Sequence, residues 1–539
     1  MQSGFQDWLL DAIFELVVKT IFQRLAPICT ASLIVVVSIS TSAFNTPQDN
    51  YERLDQVANL IRTGDVSAAE RELQLILRSQ PSDPNALNLL GVVRVQQQRP
   101  VDAEKLFLSA IRHSPKLVGG YVNLGRLYQD QHKIERAQWA YAEAAKLAPD
   151  NSEINYQLAS LSVDQGDFAK ALLDIQRIPV SSWRAEEYYI ATNSYLNLNQ
   201  PDKAIDLIEY AERAHWLESE EAATAFASLL VKAKLPARAI SILEKAIEKN
   251  PNSIRLKYEL GSAYAGNKQW ANAEDSFNAV LKLDANNIAA LRGLATIARA
   301  HGELERALAY LVQARRLAPE NLQTLYDFSV VAFSLDLILD ALPVAEKLYS
   351  TDTKNPAYVH LLAVSKFRHD EREAAERLLR EYIQLKPKEA LGYYLLGVTL
   401  YTGRRYAEAR ESLARSLSFG PNSDSAYVMA LIAQSEKDNT SAVKWLREVA
   451  PDSESYAPAQ TLLGIVYAEQ NNLSLARSTL ENAVQLNPKD LRATYQLALI
   501  YSKSGEKEKA RELFAIADTL REAQRNQEVV KFKLIEPPQ

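Results

Sequence analysis

The sequence is poor in the residues on which metal and nucleophile chemistry most often depends. It has one cysteine, Cys29, and six histidines among 539 residues, which excludes a disulfide framework and a Cys/His zinc site. Glycine is also scarce, at 17 residues, and a P-loop, H-E-x-x-H or G-x-S-x-G motif is absent. We therefore expect a protein that is not an enzyme, with no catalytic or metal-binding residues and no cofactor.

Charge of one sign is lacking as well. The formal net charge is −6, and acidic and basic residues are interspersed along the chain. A protein that binds the nucleic acid backbone usually concentrates lysine and arginine on one face or in one segment. The sequence therefore predicts no nucleic acid partner.

The N-terminal segment, residues 1–49, departs from this even distribution of charge. No charged residue occurs between Arg24 and Asp49. A basic residue before an uncharged apolar run is typical of a signal sequence or a membrane anchor, which would place the following chain outside the cytoplasm. We predict a periplasmic or secreted protein, either cleaved near Ala43 or anchored to the inner membrane by residues 25–44. Residues 5–21 are amphipathic and could lie on the membrane, or form a helix that packs on the chain that follows.

An alanine recurs every 33 to 35 residues through the rest of the chain and marks fourteen units between residues 50 and 517. If this alanine is position 20 of a unit, apolar or small residues fall at positions 4, 7, 8 and 11, and again at 20, 24 and 27. Each set has the spacing of one face of an amphipathic helix. The sequence predicts a helical hairpin per unit, and neighbouring hairpins must stack to bury both faces. The marker residues are Ala69, Ala103, Ala137, Ala171, Ala204, Ala239, Ala273, Ala307, Ala341, Ala375, Ala409, Ala442, Ala476 and Ala510.

The third unit shows which family these hairpins resemble. It combines Leu124, Gly125, Tyr128, Ala137, Tyr141, Ala144 and Pro149. In this pattern the chain resembles the tetratricopeptide repeat (TPR) family. The resemblance implies an all-α fold, a TPR α-solenoid in which helix–turn–helix repeats form a right-handed superhelix with the first helices lining its concave face. We predict fourteen repeats over residues 50–517, followed by a capping helix and tail over residues 518–539.

An apolar strip runs through repeats 9 to 11 at positions 5, 9 and 12 of the first helix. These positions lie on one side of a helix, and the family resemblance places that side on the concave face. Aromatic residues with a polar group are enriched where proteins bind proteins, so we predict a partner-binding groove here. The alternative is that these side chains pack between neighbouring helices as core. The residues of the apolar strip are Tyr326, Val330, Phe333, His360, Val364, Phe367, Tyr394, Val398 and Tyr401.

The sequence-based expectation is a scaffold for protein–protein interaction, which binds a partner as an extended segment or helix laid in the groove. The family resemblance favours envelope assembly or exopolysaccharide export as the setting, with membrane contact through the N-terminal segment alone. An alternative is a carbohydrate-binding or glycosyltransfer-associated module that stacks the same aromatic rings on sugars.

Overall fold

The structure, a computed structural model, describes residues 48–533. This part of the chain contains 28 α-helices and no strand, which confirms the all-α prediction. Successive helices pair as hairpins, so that repeat 1 is α1 and α2, and repeat 14 is α27 and α28. The hairpins form two compact units that divide between Ala285 and Asn286, and each unit contains seven repeats.

The first unit contains helices α1 to α14. Odd-numbered helices are the first helix of a repeat and even-numbered helices are the second. Their bounds are α1 Gln48–Thr63, α2 Val66–Ser79, α3 Pro84–Gln96, α4 Pro100–His113, α5 Val118–Asp130, α6 Ile134–Leu147, α7 Ser152–Asp164, α8 Phe168–Ile175, α9 Ala185–Asn197, α10 Pro201–Arg213, α11 Glu220–Lys232, α12 Pro236–Lys249, α13 Ile254–Gly266 and α14 Trp270–Leu283.

The second unit contains helices α15 to α28 in the same alternation. Their bounds are α15 Ile288–Ala300, α16 Leu304–Leu317, α17 Leu322–Ser334, α18 Ile338–Thr351, α19 Pro356–Arg368, α20 Arg372–Leu385, α21 Ala390–Thr402, α22 Tyr406–Leu417, α23 Ser423–Ser435, α24 Asn439–Arg447, α25 Tyr456–Glu469, α26 Leu473–Leu486, α27 Leu491–Lys503 and α28 Lys507–Lys533.

Repeats 4 and 12 each have a short second helix. Helix α8 has 8 residues and α24 has 9, whereas the neighbouring second helices α6 and α26 have 14 each. After α8 the chain forms a 3₁₀ turn at Val180–Ser182, and Trp183 donates a hydrogen bond from Nε1 to the carbonyl of Ile178 at 3.0 Å. Trp183 is buried, so this irregular joint is packed rather than open.

Every hairpin turns at position 15, where the residue adopts a positive φ. In repeat 2, the N–H of Gln98 donates to Val95 at 2.9 Å and that of Arg99 donates to Arg94 at 2.8 Å, which is the pairing of a Schellman motif. Four of the fourteen residues are glycine, and the other ten carry a side chain in this left-handed conformation. The residues are Gly64, Gln98, His132, Gly166, Asn199, Lys234, Lys268, Gly302, Asp336, Asp370, Arg404, Lys437, Asn471 and Gly505.

The start of many first helices is fixed by a side-chain cap at position 0. Asp83 accepts a hydrogen bond from the N–H of Ala86 at 2.8 Å, and Asn151 accepts one from Ile154 at 3.1 Å. Such caps satisfy backbone donors that the helix itself leaves unpaired. Together with the Schellman turn, they set where each hairpin begins and reverses.

Small residues allow the two helices of a hairpin to approach. All fourteen marker alanines are buried. A Cβ added at Gly261, at position 8, would lie 2.8 Å from Cε1 of Phe277 at position 24. At Gly397 the same atom would lie 2.6 Å from Cγ of Leu413 and 3.5 Å from the carbonyl oxygen of Ala409. The glycine at position 8 therefore leaves room chiefly for the large side chain at position 24.

The ends of the chain bear on the predicted domain boundaries. Helix α28 runs through residue 517 without interruption, so the predicted capping segment starts inside this helix. The predicted signal sequence or anchor at residues 25–44, and the amphipathic segment before it, lie outside the described residues. Between residues 48 and 533, no helix is both long enough and apolar enough to cross a membrane.

Candidate partner-binding strip

Side chains on the first helices of neighbouring repeats meet at positions 5 and 6. In the first unit, Asn123 of α5 donates a hydrogen bond from Nδ2 to Oδ1 of Asn88 on α3 at 3.0 Å. In the second unit, Nε of Arg292 on α15 lies 2.7 Å from Oδ2 of Asp327 on α17. At these two junctions the residue at position 5 of one repeat adjoins position 6 of the next.

The apolar strip lies on this face of α17, α19 and α21. Tyr326 is buried, at 4% exposure, and the other eight residues of the strip are half-buried. A half-buried apolar side chain contributes to packing and still offers surface to a partner. The structure thus brings the nine residues to one face but gives Tyr326 little surface for contact.

Position 5 of these repeats packs inward against other rings. The ring centroid of Tyr326 lies 6.1 Å from that of Tyr358, and the ring centroid of His360 lies 5.7 Å from that of Tyr382 on α20. Burial raises the pKa of Tyr326 above its usual value and raises that of Tyr394 to about 12. These ring contacts give position 5 a role in packing in repeats 9 and 10, while His360 and Tyr394 are half-buried like the residues at positions 9 and 12.

Positions 9 and 12 form the outer part of the strip. Val330, Val364 and Val398 follow one another at position 9, while Phe333, Phe367 and Tyr401 follow at position 12. All six are half-buried. Aromatic side chains such as those at position 12 are common anchors of a protein interface, and the valines at position 9 add apolar surface beside them.

Charged residues border the outer part of the strip. The guanidinium carbon of Arg368 lies 5.3 Å from the ring centroid of Phe333, and Nη2 of Arg368 lies 2.5 Å from Oδ1 of Asp336. Lys366 forms ion pairs with Glu346 at 2.7 Å and Glu371 at 2.9 Å. An apolar centre with a polar rim is the common anatomy of a protein–protein interface.

The strip itself carries no charge at neutral pH. His360 is its one ionisable base, and burial lowers the pKa of this imidazole to about 4, against the opposite effect of Glu389. The neutral imidazole behaves as a polar aromatic ring beside Tyr382. The site therefore suits an apolar segment rather than an acidic one.

The aliphatic residues at position 9 continue beyond the predicted strip. Leu431, Ile465 and Leu499 occupy this position on α23, α25 and α27, so an aliphatic residue stands at position 9 in six consecutive repeats. Leu431 and Leu499 are half-buried and Ile465 is buried. The sequence prediction ended at repeat 11 because it required apolar residues at positions 5, 9 and 12 together, whereas position 9 alone stays aliphatic through repeat 14.

The described residues offer no site for a metal ion, since no group of three or more His, Cys, Asp or Glu side chains among them is placed to hold one. The strip contains no nucleophile paired with a base either. What the arrangement can do is bind an apolar segment by excluding water from both surfaces.

Comparison with protein families identifies the repeats. Two models described as tetratricopeptide repeat match this chain, and together they cover more than half of it. The matched residues are 54–117, 122–184, 192–254, 230–297, 360–426 and 467–530. The chain belongs to the tetratricopeptide repeat family. Repeats of this family suggest an interaction scaffold, and its fold is typically non-catalytic.

Two relatives are similar at low identity. Protein O-mannosyl-transferase TMTC3 from Homo sapiens is 23% identical over 69% of this chain and 44% of its own length. Cellulose synthase operon protein C from Pseudomonas fluorescens (strain SBW25) is 23% identical over 84% of this chain and 36% of its own length. The TPR chain described here therefore spans less than half the length of these relatives.

Two solved structures align with much of this chain at low sequence identity. The hetero-tetramer Cut9–Hcn1 of the APC/C covers 85% of this chain and 98% of its own at 16% identity, with a TM-score of 0.42. Yeast Tom70 covers 84% of this chain and 99% of its own at 15% identity, with a TM-score of 0.37.

Proposed function

We propose that this TPR chain is a non-enzymatic scaffold that binds another protein along the apolar strip of its second unit. The observation that carries the proposal is the recurrence of half-buried Phe333, Phe367 and Tyr401 at one position of three successive first helices. An apolar surface that continues across neighbouring elements is uncommon on a protein that binds nothing. The partner would lie on the strip as an extended segment or a helix, anchored at positions 9 and 12.

We further propose an extracytoplasmic setting, in envelope assembly or exopolysaccharide export. Support comes from the uncharged run before Asp49, which follows the basic residue Arg24. An alkaline phosphatase fusion after Asn50, in a bacterial host, tests this topology because the enzyme works only when it is exported. An active fusion is expected, and an inactive one beside an active exported control would refute it.

Photo-crosslinking at single positions tests the binding site directly. A photoreactive phenylalanine analogue is placed at Phe333, Phe367 or Tyr401 in the full chain expressed in its native host. The control position is Tyr210 on α10, which is 57% exposed and belongs to the first unit. We expect one crosslinked protein at the three strip positions and not at Tyr210.

A second variant decides whether the crosslink reports specific binding. Val364→Asp places a charge in the centre of the strip and should abolish the crosslink at Phe333 and Tyr401, because a buried unpaired carboxylate opposes apolar contact. Persistence of the crosslink in this variant, or equal products at Tyr210, would count against the strip as the binding site.

A carbohydrate-binding or glycosyltransfer-associated module is the second candidate. It is favoured by the names of the two relatives, one an O-mannosyl-transferase and the other a protein of a cellulose synthase operon. Aromatic rings at positions 5 and 12 could stack on sugar rings. Retention of the chain on an immobilised polysaccharide, lost in Phe367→Ala, would support this candidate, and retention that ignores the variant would oppose it.

A further inference from the structure

Helix α28, the second helix of repeat 14, is much longer than the helix with which it pairs. It has 27 residues, whereas α27 has 13. Second helices such as α6 and α26 end at position 30, which is Leu520 in repeat 14, so residues 521–533 extend α28 past its hairpin. An isolated helix shorter than about 12–15 residues is only marginally stable in water. This extension therefore calls for a partner that packs against it.

A heptad pattern begins inside the hairpin and continues through the extension of α28. Its residues recur at alternating steps of three and four, which is the spacing by which one helix presents a narrow apolar side to another helix. Five of the six residues are apolar, and the sixth is Gln527, the middle residue of the extension. We call these residues the α28 stripe, and they are Leu513, Ile516, Leu520, Ala523, Gln527 and Val530.

The part of the α28 stripe that lies within the hairpin is open to a partner. Ile516 is 42% exposed, and Leu513 and Leu520 are half-buried. Ile516 occupies position 26, where each of the six preceding repeats has a polar or charged residue. A single exposed apolar residue is common, but one that continues a heptad pattern indicates a contact surface. The residues at position 26 of repeats 8 to 13 are Gln313, Lys347, Glu381, Arg415, Glu448 and Asn482.

Continued stacking of repeats does not account for the α28 stripe. Position 25 of a second helix faces the next repeat, as Glu481 of α26 shows by accepting a hydrogen bond from the hydroxyl group of Tyr501 on α27 at 2.5 Å. In repeat 14 this position is Ala515, with Arg511 one turn earlier, and both are exposed. At about 100° per residue, the α28 stripe lies on a different side of the helix. Its apolar residues therefore serve another contact.

A second copy of this chain is the partner that the α28 stripe fits. The stripe carries no charge, so it does not select a partner by opposite charge. Gln527 needs a polar group to hydrogen-bond with once it is shielded from water. Because Gln527 is the middle residue of the extension, a symmetric pair of extensions places it beside the same residue of the other copy. The charged residues of the extension also alternate in sign, so two copies pair without concentrating one charge. They are Arg521, Glu522, Arg525, Glu528 and Lys531.

We propose that two copies of this chain associate through α28, with the α28 stripe of one copy packed on that of the other as a two-stranded coiled coil. The contact is isologous, since the same surface is used by both copies. Gln527 fixes how the two helices align, at a cost in affinity. This surface uses none of the residues of the apolar strip and does not depend on the proposed function. A dimer carries two apolar strips, so a partner with two binding segments would be held more tightly.

Sedimentation equilibrium of the purified full chain tests the proposal, because it measures the dissociation constant of a dimer. The informative variant is Val530→Glu, which places a carboxylate on the α28 stripe. The matched control is Val529→Glu, the same substitution one residue away, at a position that the heptad spacing places off the stripe. We expect Val530→Glu to weaken the dimer about tenfold or more and Val529→Glu to change it less than about twofold. Gln527→Leu should strengthen the dimer about tenfold.

Several outcomes would overturn the proposal. The native chain could be a monomer, both valine variants could weaken the dimer equally, or Val530→Glu could leave it unchanged, which would place the contact elsewhere, as on the apolar strip. Circular dichroism at a concentration where the chain is monomeric should give both variants the same melting temperature, because both substitutions lie past the hairpin. A lower value for Val530→Glu alone would show that the α28 stripe packs within its own chain, and this too would rule out the dimer contact.

Discussion

The ring of His360 lies against the ring of Tyr382, with centroids 5.7 Å apart and an interplanar angle of 45°. Tyr382 in turn donates a hydrogen bond from its hydroxyl group to Oε2 of Glu389 at 2.6 Å. The imidazole thus faces the hairpin partner α20 rather than water, which lowers its pKa to about 4. This packing keeps the imidazole uncharged at neutral pH, and it makes the stability of repeat 10 depend on pH.

We expect His360 to cause a loss of stability in acid. The unfolded chain binds its proton near pH 6.5 and the folded chain only near pH 4, so the stability that the neutral imidazole provides is present above pH 6.5 and is lost as pH falls to 4. The loss is at most about 3 kcal/mol. His360→Leu should reduce the difference in melting temperature between pH 7 and pH 4.5, while His113→Leu, at an exposed position, should not.

Glu259, half-buried on helix α13, should produce the opposite dependence on pH. Because its pKa rises from 4.5 in the unfolded chain to about 7 in the folded chain, the folded state is most favoured below pH 4.5 and loses stability as pH rises to 7. The effect is at most about 3 kcal/mol. Thermal melting of Glu259→Gln should therefore show a gain over the native sequence at pH 8 that disappears at pH 4.5. A gain of equal size at both pH values would contradict this assignment.

Adding a methyl group should have different effects on stability at two glycines of helix α13. At Gly261 an added Cβ would lie 2.8 Å from Phe277, whereas at Gly266 the nearest side-chain atom would be 3.8 Å away. We expect Gly261→Ala to destabilise the chain by about 1–3 kcal/mol through overpacking. Gly266→Ala should be neutral or slightly stabilising. Denaturant unfolding followed by circular dichroism compares them, and similar midpoints for the two variants would be evidence against the close hairpin packing.

The left-handed residue at position 15 offers a reciprocal pair of substitutions. Lys268 adopts φ 59° and Gly302 adopts φ 77° at equivalent turns. Side chains disfavour this conformation by about 1–2 kcal/mol, so Lys268→Gly should raise the melting temperature and Gly302→Ala should lower it. If both substitutions lower it, contacts of the lysine side chain stabilise the turn by more than its left-handed backbone costs.

Truncation of Phe367 should cost less stability than truncation of a core ring. Phe226 is 1% exposed, and its replacement by alanine is expected to cost about 3–5 kcal/mol. Phe367 is half-buried, so its replacement should cost about 1–2 kcal/mol by the same reasoning. Thermal melting of the two variants compares these costs. Equal losses would show that position 12 belongs to the core, which would remove the basis for a binding strip.

The sequence by itself determined the repeat architecture. The alanine register marks fourteen hairpins, and the structure confirms helices and buried marker alanines in all of them. This works because each hairpin is a local unit: apolar spacing sets the buried faces of its helices, and a cap and a left-handed turn set its ends. Such signals lie within one 34-residue unit, so they can be read without knowledge of the neighbours.

Only the tertiary structure decided how far each residue of the apolar strip is buried. Tyr326 and His360 occupy the same sequence position, yet Tyr326 is buried while His360 is half-buried. Their neighbouring rings also lie on different helices, Tyr358 on α19 for Tyr326 and Tyr382 on α20 for His360. Exposure and pairing on the first helices depend on residues of adjacent helices, and no local pattern records which of these side chains reach each other.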